Sequence, residues 1–197
     1  MGIDKKSRAL THPTKTQPSD SRRVPETLSE AVLYYTDLDL ATRALSAARW
    51  QNAIECPHCH SREEHFFIAT RRIWTCRSCR KQFSLKVGTI LEDSPIAVDK
   101  WLVTVWIVAN SNKPIPAYRL HRVVGVSKTT ARFMLRRIQL AMQAPQFTLL
   151  ESMPLQPIEP EELSGEQYPR FTRLLVAIAA VPKSAVYEPD PRPHPKS

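Results

Sequence analysis

The chain has 197 residues and a net charge of +9, room for one moderate domain or two small ones. The basic excess is concentrated: residues 56–143 hold 15 Lys/Arg against 5 Asp/Glu, while residues 1–55 hold 8 against 7 and residues 144–197 hold 5 against 7. No apolar run is long enough to cross a membrane, and Met1–Arg23 carries charge without an apolar h-region, so neither a span nor a secretory signal is expected and the expected location is the cytoplasm.

Residues 1–25 are rich in Lys, Thr, Ser and Pro and poor in apolar side chains, the composition of a disordered segment. Thr27-Leu-Ser-Glu30 has the form of a capping box, predicting a helix to about Tyr35. Asp37 can cap a second helix, on which Leu38, Ala41, Leu45 and Ala48 form one apolar stripe. The two make a helical hairpin over 26–50, ending at Trp50, which is placed to pack against the next module.

That module, over 51–90, is organised by the four cysteines of the chain, Cys56-Pro-His-Cys59 and Cys76-Arg-Ser-Cys79. A two-residue gap lets both thiolates of a pair turn toward one point. A second pair at this separation completes the closed tetrathiolate of a structural Zn²⁺. Disulfides need an oxidising compartment that nothing here indicates, and a redox pair needs no second copy. His58, His60 and His65 are alternative ligands, but four thiolates already fill a tetrahedron. Between the knuckles, His65–Ala69 and Arg72–Thr75 read as strands around a turn at Thr70-Arg71, and Lys81–Leu85 reads as a third strand stopped by Gly88-Thr89. So small a sheet depends on its metal to fold.

Ser94-Pro95 or Asp99 is expected to start the next helix. It runs to about Ser111 with Trp101, Leu102, Val105, Trp106, Val108 and Ala109 over a wide face, and must be largely buried. Lys113-Pro114 ends it. A short helix from Pro116 to Val124 turns Leu120 inward, Gly125 suits a left-handed C-terminal residue, and Ser127 caps a third helix to about Gln143. On that third helix Ala131, Met134, Leu135 and Ile138 form the inner stripe, while Lys128, Arg132 and Arg136 recur at four-residue steps beside Thr129. The pattern over 95–143 is a helix-turn-helix whose last helix offers cations and a hydroxyl to a DNA groove. The bland alternative is a solvated amphipathic helix; the upstream ribbon and the confined charge favour DNA. Arg71, Arg72, Arg80 and Lys81 on the ribbon are further candidate phosphate contacts.

After Gln143 come a Pro- and Glu-rich linker over 144–165, an amphipathic helix over 166–182 carrying Phe171, Leu174, Leu175 and Ile178, and a Pro-rich tail over 183–197 that reads as disordered. The fold class expected is therefore mainly α with a small β zinc ribbon between disordered termini.

Taken together, Pro25-Glu-Thr-Leu-Ser-Glu-Ala, Arg49-Trp50, the two cysteine knuckles, Gln82-Phe-Ser84, Gly88-Thr89, Trp101 and the run Gly125–Ile138 resemble the N-terminal half of bacterial insertion-sequence transposases of the ISXO-like group. The resemblance covers roughly 25–143. It implies one structural zinc and binding of double-stranded DNA at transposon ends. His60 departs from the family, which usually has Gly after the first knuckle, where a left-handed backbone is needed. In these transposases a ribonuclease-H-like domain with three catalytic carboxylates comes next and works through two metal ions. Only 54 residues lie beyond Gln143 here, and Glu92, Asp93 and Asp99 are not spaced as a triad, so no catalysis is expected of this chain. A transcription regulator that recruits a partner through the 166–182 helix, the binding half of a split transposase with a separate catalytic subunit, an RNA-binding or protein-binding ribbon, and a homodimer are the alternatives the residues leave open.

Overall fold

The structure is a computed structural model that describes residues 25–50, 53–145, 147, 169–182 and 184. The expected disordered N-terminus up to residue 24, most of the 144–165 linker and most of the tail beyond 182 lie outside the described residues. Among the described residues, six helices and one three-stranded sheet are arranged in chain order: α1 Leu28–Thr36, α2 Leu38–Arg49, β1 His65–Ile68, β2 Ile73–Cys76, β3 Gln82–Ser84, α3 Val98–Ala109, α4 Ala117–Val124, α5 Lys128–Gln143 and α6 Pro169–Ala180.

The helix starts are set by their caps. The Thr27 hydroxyl accepts from the Glu30 amide at 3.2 Å, and the Glu30 carboxylate accepts from the Thr27 amide at 3.2 Å, a complete capping box. Asp37 Oδ1 takes the Asp39 and Leu40 amides at 2.8 and 3.2 Å and so opens α2 as soon as α1 ends. α3 starts differently from expectation. Neither Ser94 nor Asp99 caps it; Ala97 precedes the first turn with no side-chain bond. Ser94 is buried instead, its hydroxyl taking the Trp101 indole N–H at 3.3 Å and the Ile96 amide at 3.3 Å. Asp99 sits inside the first turn, where a carboxylate suits the helix N-terminus.

α3 is the axis of the helical body. Trp101, Leu102, Val103, Val105, Trp106, Ile107 and Ala109 are all buried, so the helix is apolar nearly all round because it is surrounded. α1, α2, α4, α5 and α6 all pack on it. α6 also lies along α2, its Phe171, Leu174, Leu175 and Ile178 buried and Phe171 meeting the Tyr35 ring at 5.7 Å between centroids. A twelve-residue helix is marginal alone. Here each buried side chain contributes about 1.5–3 kcal/mol of transfer free energy, and that packing is what holds α6 together. Among the described residues its apolar face is covered by the core.

The sheet is antiparallel in the order β1-β2-β3, with Phe67, Trp74 and Phe83 aligned across it. That row is the ribbon's inner face, and the Trp50 ring meets Trp74 and Phe83 edge-on at 5.0 and 6.2 Å, as its position before the ribbon predicted. β3 ends at Ser84, four residues before Gly88. Gly88 (φ +77°) passes under Arg49, where a Cβ would stand 3.3 Å from the guanidinium.

From Leu85 to Ala97 the chain has no regular element, yet Leu85, Thr89, Ile90, Leu91 and Ser94 are buried. Its carbonyls are held by cations from three places. Arg49 of α2 donates to the carbonyls of Leu85 (2.6 Å) and Val87; Lys86 donates to Ser94 and Ile96; Arg137 of α5 donates to Ile90 at 2.5 Å and Glu92 at 2.8 Å. Burial pulls the Arg49 guanidinium down to about 10, with Glu92 and Glu55 opposing, so it stays charged at neutral pH. This clamped connector fixes the ribbon to the helical body.

Candidate metal centre and nucleic-acid interface

The two knuckles are built alike. The Cys56 carbonyl accepts from the His60 amide and the Cys76 carbonyl from the Arg80 amide, both at 2.9 Å; the Cys56 and Cys76 amides donate to Ser61 and Lys81, both at 3.0 Å. The residue after each second cysteine is left-handed, His60 at φ +57° and Arg80 at φ +59°. The strain anticipated at His60 is thus real and shared by both loops. The loops bring all four sulfurs within 4.8 Å of one another, with Cys56–Cys79 at 3.7 Å and Cys59–Cys76 at 3.6 Å. Zinc–sulfur bonds of about 2.3 Å would set tetrahedral sulfurs about 3.8 Å apart, so the donor set fits the ion.

The protonation of these sulfurs leads to the same conclusion. The Cys79 amide stabilises the Cys76 thiolate and lowers that thiol to about 6. Cys59, although the Ser61 amide favours its thiolate, is pushed up to about 12 by desolvation and by its three sulfur neighbours. Four sulfurs this close cannot all ionise on their own, and a divalent cation at their centre would stabilise all four as thiolates. The histidines are committed elsewhere. His65 Nε2 meets the Ile54 carbonyl at 2.9 Å, His60 Nδ1 meets Glu55 at 3.0 Å, and His58 is exposed and outside the ligand group. Among the described residues the four cysteines are the one His/Cys/Asp/Glu group that comes together as a ligand set.

The second surface is α5. The Ser127 hydroxyl accepts from the Thr130 amide at 3.0 Å and starts it, and Gly125 (φ +67°) ends α4 in the left-handed conformation expected of it. Ala131, Met134, Leu135 and Ile138 are buried, whereas Lys128, Thr129, Arg132 and Arg136 are all exposed. Eight residues of helix separate Lys128 from Arg136, about 12 Å at 1.5 Å per residue, the width of a B-DNA major groove. Sequence reasoning passed over α4, which exposes Tyr118, Arg119 and Arg122; an eight-residue helix with one buried leucine gives a weak periodic signal, and no stripe marks its outer face.

The ribbon candidates separate. Arg71, Arg80 and Lys81 are exposed, but Arg72 is half-buried and forks onto Asp39 of α2 with bonds of 2.7 and 3.2 Å. Arg72 is a fastener between α2 and the hairpin turn, which the local sequence could not show because its partner lies 33 residues away.

Among known proteins, residues 39–82 match the transposase zinc-ribbon domain. The match begins inside α2, in keeping with the Asp39–Arg72 pair and the Arg49 clamps that join that helix to the ribbon. An uncharacterized protein in the transposable element ISH50 of Halobacterium salinarum is 29% identical over 108 residues, 53% of this chain and 36% of that protein. The chain therefore spans about a third of the length of this relative. No solved structure matches. Residues 39–82 thus match a transposase-type zinc ribbon, with four cysteines placed for one structural zinc, and among the described residues no helix is long and apolar enough to cross a membrane.

Proposed function

We propose that this chain is the DNA-binding part of a transposable-element protein and that it recognises double-stranded DNA, with transposon ends as the target, through α5. The observation that carries the reading is the split of α5 into a buried apolar stripe and an exposed stripe of Lys128, Thr129, Arg132 and Arg136. The buried stripe holds the helix still, and the exposed one presents three cations and a hydroxyl across one groove width. α4 adds Arg119, Arg122 and Tyr118 for phosphates, as the helix before a recognition helix crosses the backbone. The ribbon adds Arg71, Arg80 and Lys81. The transposase-type ribbon and the ISH50 relative support the transposon setting.

We also propose that this chain performs no strand cleavage. Several of the described carboxylates hold structure: Asp37 caps α2, Asp39 holds Arg72, Glu55 holds His60 and Arg62, and Glu64 holds Arg77. Two-metal phosphoryl transfer needs such groups converging on an ion pair about 4 Å apart.

The test is a mobility shift on duplexes carrying the inverted repeats of the element, with Mg²⁺ or Mn²⁺ present. A shifted, uncut duplex is expected, weakened by Lys128→Ala and Arg132→Ala and little changed by Arg43→Ala on the exposed side of α2. Equal losses from all three variants would reduce the binding to diffuse charge attraction. Cleavage that co-purifies with the protein would overturn the second proposal.

A further inference from the structure

We propose that Phe133 is a base-reading residue of α5, packing its ring against the 5-methyl group of a thymine in the major groove of duplex DNA. This deepens the reading of α5 as the DNA-contacting helix and rests on it.

Phe133 is 39% exposed, whereas Met134, Leu135 and Ile138 of the same helix are buried. It is exposed without being loose. The Trp101 ring lies 6.4 Å from it between centroids, inclined at 62°, and the Arg137 guanidinium lies 4.5 Å over its face. Arg137 is held in turn by the Ile90 and Glu92 carbonyls. These two neighbours account for only part of the ring's surface, and they fix the rest in place. An aromatic group placed in advance loses little conformational freedom when a partner arrives.

The surroundings of Phe133 say what that partner is. At about 100° per residue, Lys128, Arg132, Arg136, Thr129 and Phe133 follow one another around α5 over about 140°, and all five are exposed. Thr129 stands one turn before Phe133, so its hydroxyl and methyl share an edge of the helix with the ring. Neither α4 nor α5 carries an Asp or Glu. The complement of such a face has dense negative charge beside a small apolar group. Duplex DNA offers both: phosphates along the walls of the major groove, and the thymine methyl as the apolar element of the pattern on its floor. Phe133 is the sixth residue of α5, within the N-terminal part that a recognition helix inserts into the groove. Phosphate contacts carry no sequence information of their own. A methyl contact at Phe133 supplies some, because it marks one base of the four.

The test compares duplexes carrying the inverted repeats of the element with the same duplexes in which deoxyuridine replaces thymine. That change deletes the methyl group and keeps every hydrogen-bonding group. Binding of the full zinc-loaded chain is read by fluorescence anisotropy at one fixed salt concentration. Replacement at the contacted position should weaken wild-type binding about fourfold, the effect of burying one methyl-sized group. Single replacements should trace that loss to one base pair in each bound repeat. Phe133→Ala should bind the thymine and uracil duplexes equally. Arg136→Ala should weaken both and keep the fourfold ratio. Circular dichroism and zinc content establish that each variant is folded. If Phe133→Ala is not, Phe133→Gln, a longer side chain, takes its place with the same expected loss of the ratio. A wild-type ratio of one, a loss spread evenly over the thymines, or a ratio that survives in the Phe133 variant overturns this proposal and leaves the α5 reading standing. Failure to bind the thymine duplex at all overturns both.

Discussion

Arg137→Ala should destabilise the protein by about 3 kcal/mol while leaving the exposed cations of α5 untouched. The guanidinium of Arg137 donates to two carbonyls of the connector, Ile90 at 2.5 Å and Glu92 at 2.8 Å, and lies 4.5 Å over the Phe133 ring. Hydrogen bonds to a charged group contribute about 1.5–3 kcal/mol each. Ile90 is fully buried, so its carbonyl loses its partner without water to replace it, and the upper part of that range applies to it. Glu92 is half-buried, and its carbonyl is partly resolvated, near the lower end or below. The ring contact adds about 0.5–1 kcal/mol. These sum to about 4–5 kcal/mol, and relaxation with water entering the vacated site brings the expected loss to about 3 kcal/mol. Both bonds come from one guanidinium nitrogen, Nη1, so Arg137→Lys keeps the charge and a terminal donor but not the planar stacking on Phe133, and should fall about midway. The assay is urea unfolding of the zinc-loaded protein monitored by far-ultraviolet circular dichroism. The neighbouring Arg136→Ala is the internal control: its side chain is exposed, so it should change stability by less than about 0.5 kcal/mol yet weaken DNA binding. If Arg137→Ala cost no more than Arg136→Ala, the clamp would carry no load and the connector would be held by its apolar side chains alone.

Metal analysis with thiol titration should give one zinc per chain and no freely titrating thiol; Cys56→Ser should lose the metal and melt the ribbon, whereas His58→Ala should change neither. Gly125→Ala should cost about 1–2 kcal/mol, wholly from its φ of +67°, since an added Cβ meets nothing within 4 Å; Gly125→Asn should cost less than half as much in the same unfolding assay. Replacing Lys128 or Arg132 with Ala should weaken DNA binding by about 1–3 kcal/mol if a base contact is removed. With four to six phosphates neutralised, the affinity of the wild type should fall with a log–log salt slope of about −4 to −5.

What the sequence disclosed was local. Thr27 with Glu30, Asp37, Gly125 and Ser127 act within four residues of themselves, and the structure shows each doing what its spacing implied. The cysteine pairs were legible because tetrahedral thiolate geometry demands that spacing and little else does. What stayed hidden were the long-range partners. Arg49, Lys86 and Arg137 counted only as positive charge until the carbonyls they hold were seen, and those carbonyls belong to a segment with no periodicity to announce it. Ser94 looked like a cap because its hydroxyl can cap; the Trp101 indole seven residues on claimed it first. For α6, the amphipathic pattern promised a buried face but could not say whether this chain or another would cover it. α2 and α3 do.

The clamped connector between β3 and α3 has a consequence for any DNA site this protein reads. Guanidinium groups from α2 and α5 grip the same short run of backbone, which ties the ribbon to the helix that carries the exposed α5 cations. A rigid offset in the protein translates into helical phase on the duplex. If both surfaces touch DNA, inserting about five base pairs between their contacts moves one to the far side of the double helix, while inserting about ten restores its azimuth and leaves only the distance wrong. A flexible tether would forgive either insertion. On the DNA-binding proposal, the chain would gauge spacing as well as read bases.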